Sequence, residues 1–128
     1  MASELRVNAL KDASGNNSVG MSTVAEGSAK AWINFNGDNT SDIRDSFNCG
    51  SMTDGGSGDH TVNYTNSLGN TGYAAMTQCQ TGDSSNPAVA NPNTQGTNLT
   101  GSTRILTFEN PGAFDSLYMA LTAHGDLA

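Results

Sequence analysis

Large apolar residues are too scarce in this chain to fill a deep core. Leucine, isoleucine, valine and phenylalanine supply 20 of the 128 residues, below the roughly 20% at which a highly charged chain is expected to be disordered. Only 13% of the residues are charged, however. Glycine, asparagine, serine and threonine supply 58 residues, and these residue types favour turns and strands. The composition therefore predicts short strands joined by tight turns rather than a helical protein.

A thin core also bears on the oligomeric state. A lone domain with so few apolar groups has little burial to set against the entropy of ordering its chain. Burial against identical copies would supply the missing contacts, so we expect an oligomer. The length fits a single domain in each copy.

The charge balance excludes several classes of partner. Twelve acidic and five basic residues give a formal net charge of −7, so binding to nucleic acid or to an anionic membrane is not expected. The first twelve residues include four charged ones and lack an apolar signal-peptide region, and no run of 18 apolar residues follows. We therefore expect synthesis in a cytoplasm and no membrane insertion.

Alternating polar and apolar residues predict about eight short strands. The clearest is 29–36, where Ala31, Ile33 and Phe35 point one way. Gly50 is placed to form a bulge, and the glycine-rich segment 54–59 to close a hairpin. The predicted strands are 4–10, a weak one near 19–24, 29–36, 43–53, 60–66, 73–80, 104–109 and 115–124, the last with Leu117, Met119 and Leu121 inward. This pattern is typical of an all-β fold, either an antiparallel β-sandwich or an open barrel of jelly-roll type.

The chain divides into two parts on this pattern. Residues 1–28 form an N-terminal strand and loop segment, and residues 29–128 form the β domain. Residues 81–101 are poor in large apolar groups, which predicts a long polar loop that is either functional or disordered.

No pattern of residues points to catalysis. A metal site built from His60 and His124 with Asp59 or Asp126 lacks the spacing of known ligand sets, so both histidines are interpreted as exposed at strand ends. The chain has no G-x-S-x-G elbow and no phosphate-binding loop. We therefore predict no catalytic residues, no metal and no cofactor.

Three acidic, glycine-containing turns leave a choice between calcium binding and ordinary turn structure. Segment 54–59 partly matches a calcium-binding repeat but occurs once, so a hairpin is the favoured interpretation. Segments 12–17 and 37–42 could offer oxygen ligands, yet neither has the EF-hand spacing. Asx-turns are the favoured interpretation for both.

The two cysteines and the single tryptophan each allow two interpretations. Cys49 and Cys79 either form a disulfide in an oxidising compartment or are small buried thiols, and cytoplasmic synthesis favours the thiols. Trp32 either contacts a sugar or a partner, or is buried under another sheet or subunit, and burial is favoured. Trp32 and the outward-facing Tyr118 are the predicted subunit-interface residues.

Four segments resemble the fibre and virion structural proteins of tailed phages, especially marine and cyanobacterial phages. They are SELRVNALKDASGNN (3–17), AEGSAKAWINFNG (25–37), IRDSFN (43–48) and TDGGSGDHTVNYT (53–65). The similarity covers about residues 3–66 and holds in order and spacing. Cys49 stands where the family has an aliphatic residue, and Gly55 where its hairpin turn has asparagine.

The resemblance implies a β-rich, commonly trimeric component of the virion surface without a catalytic motif. We expect a homotrimeric tail fibre or fibre tip that contacts other virion proteins through residues 4–10 and a host glycan or protein receptor through polar loops. The alternatives are a capsid decoration or cement protein and, less favoured, a glycan-cleaving enzyme. The predicted receptor-binding residues all lie in the long polar segment and are Asp83, Asn86, Asn91, Asn93 and Gln95.

Overall fold

The computed structural model describes residues 3–38, 42–80, 98–109 and 112–128, together with the backbone of 89–92. Within these residues the chain forms eleven β-strands and one short helix. In chain order the elements are β1 Ala9–Lys11, β2 Ser18–Gly20, α1 Met21–Gly27, β3 Ala31–Asn36, β4 Asp42–Phe47, β5 Cys49–Gly56, β6 Asp59–Tyr64, β7 Ala74–Cys79, β8 Val89–Pro92, β9 Ser102–Glu109, β10 Gly112–Ala113 and β11 Met119–His124.

Two antiparallel sheets make up the β domain. The first, here called the β3 sheet, has the strand order β4-β3-β11-β7. The second, the β6 sheet, has the order β5-β6-β9-β10, with β8 also pairing β9. The sheets do not close into a barrel, so the predicted all-β fold is confirmed as an antiparallel sandwich.

The core lies between the two sheets and follows the alternation along each strand. Every second residue of β3 and β11 is buried, and the β6 sheet contributes Val62 and Ile105. The Phe35 ring packs 5.6 Å from the imidazole of His60, which joins the sheets near one end. The residues of the β3 sheet that fill this core are Ala31, Ile33, Phe35, Met119, Leu121 and Ala123.

The predicted strand 43–53 is wrong as a single element, because it is two strands in different sheets. β4 belongs to the β3 sheet and β5 to the β6 sheet. Asn48 joins them with a left-handed φ of 56°, a conformation that asparagine adopts more readily than most residues. Its side-chain amide donates 3.0 Å hydrogen bonds to the carbonyls of Lys30 and Asn66, which hold the crossing in place.

The hairpin that follows is confirmed. β5 and β6 pair across a turn at Ser57 and Gly58, and the register shifts between Cys49 and Ser51, so Gly50 forms the predicted bulge. The glycine-rich segment 54–59 is therefore a turn in a hairpin. The strands predicted at 29–36, 73–80 and 104–109 are confirmed as β3, β7 and β9.

The last predicted strand starts later than expected. β11 begins at Met119, and Met119 and Leu121 are buried as predicted, whereas Leu117 is 45% exposed. Ser116 occupies the buried position instead, where its hydroxyl lies 2.6 Å from the carbonyl oxygen of Gln80. The inward placement of Leu117 is therefore wrong, because the alternation does not continue before the strand begins.

The N-terminal segment differs most from the prediction. Of the predicted strand 4–10 only the end belongs to β1, and the weak strand near 19–24 is wrong because α1 begins at Met21. Ser28 closes the helix by donating its backbone N–H to the carbonyl of Val24. No residue from 3 to 28 is buried, so the sandwich does not cover this segment.

The predicted long loop at 81–101 is wrong in part. β8 lies within it and pairs antiparallel with β9, from Val89 opposite Phe108 to Pro92 opposite Ile105. Residues 81–88 and 93–97 lie outside the described part of the chain.

Candidate functional site

One face of the β3 sheet lies in the core and the other is exposed to solvent. We call the exposed face the outer face, and it is the candidate functional surface. Trp32 and Asn34 point outward on β3 between the buried Ala31, Ile33 and Phe35. The predicted orientation of Trp32, opposite to Ile33 and Phe35, is therefore confirmed.

Strand register lines up four outward side chains in one row across the outer face. Trp32 lies opposite Phe47 on β4 and opposite Thr122 on β11, and Thr122 lies opposite Met76 on β7. Neighbouring strands are about 4.8 Å apart, so the row is about 14 Å long. We call these four residues the aromatic row.

The large side chains of the aromatic row are exposed. Phe47 is 51% exposed, Trp32 37% and Met76 61%. Adjacent exposed apolar groups on one face are typical of interaction surfaces, unlike apolar residues scattered singly. Because Trp32 is not covered by the second sheet of its own chain, either another subunit covers it or its ring is open to a ligand.

A shallow groove lies beside the aromatic row on the same face. Asn34 and Gln78 both lie opposite Ala120, whose small side chain leaves room between the two amides. Tyr118, Gln80, Cys79 and Met119 complete the lining, and the groove holds about 190 Å³. We call it the polar groove.

Arg44 is held against two residues of the polar groove. β4 and β3 change register between Asn34 and Phe35, and Arg44 is the unpaired residue of this bulge. Its guanidinium stacks over Tyr118, 4.4 Å from the ring centroid. It also donates hydrogen bonds to the carbonyl of Leu117, at 2.6 Å, and to Asn34 Oδ1, at 3.4 Å. Arg44 and Tyr118 therefore orient one another.

The two predicted subunit-interface residues occupy different parts of the outer face. Trp32 is in the aromatic row, opposite Thr122. Tyr118 precedes Thr122 by four residues, which corresponds to about 13 Å along a strand, and it is 51% exposed. The structure brings both residues to one face but does not put them in one cluster, and their role as interface residues stays a prediction.

Most of the predicted receptor-binding residues lie outside the described residues. This applies to Asp83, Asn86, Asn93 and Gln95. Asn91 lies in β8 opposite Leu106 of β9. The receptor role of the five residues stays a prediction.

The two histidines, predicted to be exposed at strand ends, differ in burial. His60 is fully buried, and its Nε2 donates a 3.0 Å hydrogen bond to the carbonyl of Gly37 at the end of β3. His124 is half-buried opposite Ala74, near the other end of the β3 sheet. The interpretation of His60 as exposed is therefore wrong. Among the described residues no three metal-ligating side chains come together.

Both cysteines are free thiols. Cys49 is buried in β5, where desolvation raises its pKa to about 11. Burial also raises the pKa of Cys79. Because the thiolate is the reactive form, neither side chain is set up as a nucleophile near neutral pH.

The acidic turn at 12–17 has the predicted Asx-turn structure. The carboxylate of Asp12 accepts hydrogen bonds from the Ser14 hydroxyl, the Asn16 backbone N–H and the Asn17 amide. Hydrogen bonds from Ser14 and Asn17 lower the pKa of Asp12. Donors of the turn itself thus satisfy this carboxylate. The second acidic turn, at 37–42, contains residues outside the described ranges.

The ion pair between Asp59 and Arg104 gives a pH prediction. Arg104 donates two hydrogen bonds to the carboxylate, at 2.6 and 2.5 Å, and these bonds and its positive charge lower the pKa of Asp59. The stabilisation is therefore complete above the ordinary carboxyl pKa of 3.8 and is lost as the pH falls through the lowered value. We expect Arg104→Ala to lower the free energy of unfolding slightly at pH 7, because solvent screens the pair, and the loss should disappear as the pH falls through the lowered pKa of Asp59.

Urea unfolding at several pH values measures this difference. Arg6→Ala is a matched control, because Arg6 pairs with Glu4 in a largely exposed position, where such pairs add almost nothing. A loss for Arg104→Ala that stays constant from pH 7 to about pH 2 would contradict the assigned ion pair.

The N-terminal segment carries a second exposed apolar surface. Five of its large apolar side chains are exposed, and they are Leu5, Val7, Leu10, Met21 and Val24. The predicted contact of residues 4–10 with another virion protein stays a prediction.

Comparisons with protein-family models, with curated proteins and with solved structures found no match. The helix in the described part of the chain is too short and too polar to cross a membrane.

Sequence reasoning missed the polar groove. Asn34, Gln78 and Ala120 come from strands that are distant in sequence, and only their register brings them together. The bulge that places Arg44 follows from the pairing of β3 with β4 and has no clear sequence signal. The burial of His60 did have one, because His60 shares its parity on β6 with the apolar Val62 and Tyr64.

Proposed function

We propose that this chain is a virion surface protein of the tailed-phage fibre type, which works by binding and assembly rather than by chemistry. The proposal has three copies packing together through the aromatic row, so that a rigid trimer presents its remaining surfaces to the host. The exposed aromatic row is the observation that carries it. The resemblance of residues 3–66 to fibre proteins supports the same conclusion.

The energetics favour burial of the aromatic row between copies. Tryptophan and phenylalanine dominate interface energies because each removes a large apolar area from water at a small cost in side-chain entropy. The position of Trp32 is rigid, because β3 is an inner strand that is paired on both sides at this residue. Association through this row would also compensate for the few apolar side chains in the core.

The rest of the surface provides for the two other contacts that a fibre protein needs. The exposed apolar side chains of the N-terminal segment suit attachment to a neighbouring virion protein. The polar residues predicted for receptor contact, Asp83 to Gln95, can hydrogen-bond to the hydroxyl groups of a host glycan. Polar loops on a fixed scaffold are common binding sites.

Analytical ultracentrifugation with tryptophan fluorescence tests the trimer. We expect three-chain particles with a blue-shifted Trp32 emission, and Trp32→Ser should raise the dissociation constant at least about tenfold, because interface tryptophans commonly contribute 2 kcal/mol or more. Phe108→Ser is the matched control, since Phe108 is exposed on the β6 sheet instead. A folded single chain at low micromolar concentration, with Trp32 emitting as in water, would refute trimerisation through this row.

Immunogold labelling of virions tests the location. Label on the tail, together with reduced host adsorption in the presence of the purified protein, is the expected result. Label on the capsid with unchanged adsorption would instead favour the decoration-protein alternative. Depolymerisation of host polysaccharide by the purified chain would contradict a function limited to binding.

A further inference from the structure

The polar groove combines two kinds of surface that a sugar ring requires. Asn34 and Gln78 face one another across Ala120, and each amide can both donate and accept hydrogen bonds, as a sugar hydroxyl can. Tyr118 adds an exposed aromatic ring at the same place. Aromatic rings cover the apolar C–H face of a pyranose while their polar edge stays in water. The groove can therefore contact both surfaces of one sugar unit.

Arg44 adds a fixed donor beside the groove. A guanidinium has five N–H groups, and in Arg44 two nitrogens donate to protein acceptors, Leu117 O and Asn34 Oδ1. The remaining N–H groups have no acceptor among the residues that the structure describes. Because the guanidinium stacks on Tyr118, it holds the ring in place, and the ring can contact a ligand without a large loss of side-chain entropy.

The charges around the groove favour an uncharged ligand. Asp45 follows Arg44 in the chain, lies opposite Asn34 and is exposed, so a carboxylate lies close to the Arg44 cation. The chain as a whole carries a formal charge of −7. An anionic sugar would therefore meet repulsion that offsets its attraction to Arg44, whereas a neutral sugar would not.

We infer that the polar groove binds one uncharged pyranose unit of a glycan, with the face of Tyr118 that Arg44 does not cover against its C–H face and with Asn34 and Gln78 bonded to its hydroxyls. The volume of about 190 Å³ is below the roughly 300 Å³ at which sites for larger ligands begin, so one ring is accommodated. The inference rests on the proposed function, since it names the ligand class of a host-binding protein. It adds a contact on the outer face made by residues other than those predicted for the receptor.

Saturation-transfer NMR and titration of the full chain test the inference. The probes are the methyl glycosides of glucose, galactose and mannose, with methyl glucuronide as the charged comparison, each at low and at high salt. We expect at least one neutral glycoside to bind saturably, with an affinity that salt does not change. The saturated protons should include the C–H face of the ring.

Two variants and a control assign the binding to the groove. Tyr118→Ala should weaken the affinity at least about tenfold, because it removes the stacking surface. Gln78→Ala should weaken it about threefold to tenfold, as expected for one hydrogen bond. Leu117→Ala should leave it within about twofold, since this side chain neighbours Tyr118 and is similarly exposed but does not line the groove.

The outcomes separate this inference from the proposed function. Failure of all three neutral glycosides to bind the folded chain overturns the inference, and so does binding that the two groove variants leave unchanged. Tighter binding of the glucuronide that weakens with salt overturns the assignment to a neutral ligand. A trimeric tail protein that binds none of the probes refutes only the inference, whereas a single-chain protein that binds a neutral glycoside refutes only the trimer.

Discussion

Replacing Gly58 with alanine is expected to lower the free energy of unfolding by about 3–5 kcal/mol. Gly58 closes the turn between β5 and β6 with a φ of 70°, in the left-handed region that favours glycine. A Cβ atom at this position would lie 2.5 Å from the carbonyl oxygen of Thr107, which belongs to the backbone of β9. The oxygen cannot move away easily, because β9 pairs with β6 beside it.

Two short hydrogen bonds also connect this turn to Asp115 and Thr107. The backbone N–H of Gly58 donates to Asp115 Oδ1 at 2.7 Å, and its carbonyl accepts from the N–H of Thr107 at 2.8 Å. Moving the turn to make room for a methyl group would stretch both. The loss therefore combines backbone strain, steric overlap and weakened hydrogen bonds.

The variant Gly56→Ala separates the cost of backbone strain from the cost of steric overlap. Gly56 has a φ of 110°, but a Cβ atom there would meet no other atom within 4 Å, so we expect a loss of only about 1–2 kcal/mol. Urea unfolding followed by circular dichroism measures both variants at one protein concentration, because association with other copies raises apparent stability. Equal losses for the two variants would refute the overlap at Gly58.

Thr103→Val is expected to lower the free energy of unfolding by about 2–3 kcal/mol, because it breaks a buried chain of hydroxyl groups. The Thr103 hydroxyl lies 2.5 Å from the Tyr64 hydroxyl and 2.6 Å from that of Tyr73, and all three residues are buried. The single proton of Tyr73 goes to the carbonyls of Leu99 and Ser102, since carbonyls only accept. Thr103 therefore donates to Tyr73, and Tyr64 donates to Thr103.

The direction of these hydroxyl hydrogen bonds predicts that a second substitution restores part of the stability lost in the first. In Thr103→Val the Tyr64 hydroxyl loses its acceptor and stays buried, which is the costly case. Burial already raises the pKa of Tyr64, so the unpaired hydroxyl keeps its proton and is not relieved by ionisation. Adding Tyr64→Phe removes the unpaired hydroxyl, and we expect the double variant to recover about 1 kcal/mol of the loss. A double variant that is less stable than Thr103→Val would contradict the assigned direction.

The strands that could be predicted are those whose pattern is complete within a few residues. Ala31, Ile33 and Phe35 alternate with polar or outward residues, so both the existence of β3 and the direction of Trp32 follow from sequence alone. The hairpin of β5 and β6 follows from its glycines, which permit the turn that alternation on both sides requires.

The predictions that were wrong share one cause. In each case the contacts that decide the local structure involve residues that are distant in sequence. Asn48 reads as an ordinary outward residue between Phe47 and Cys49, and its role as a crossing depends on hydrogen bonds to Lys30 and Asn66. In residues 19–24, Val19 and Met21 have the two-residue spacing of a strand, whereas Met21 and Val24 have the three-residue spacing of a helix. The helix α1 forms where no neighbouring strand is present to pair with Met21 onward.

The sequence by itself determined that this chain would be made of strands and turns, that its core would be thin, and that Trp32 would point away from that core. These properties depend on side-chain size, on alternation and on turn chemistry, all of which are local. Only the tertiary structure decided that β3 pairs with β11 and β11 with β7, and therefore that Phe47, Trp32 and Met76 form one row and Asn34, Gln78 and Tyr118 one groove. Pairing partners and register are set by hydrogen bonds and packing between distant segments, and a shift of one residue would send every one of these side chains to the other face.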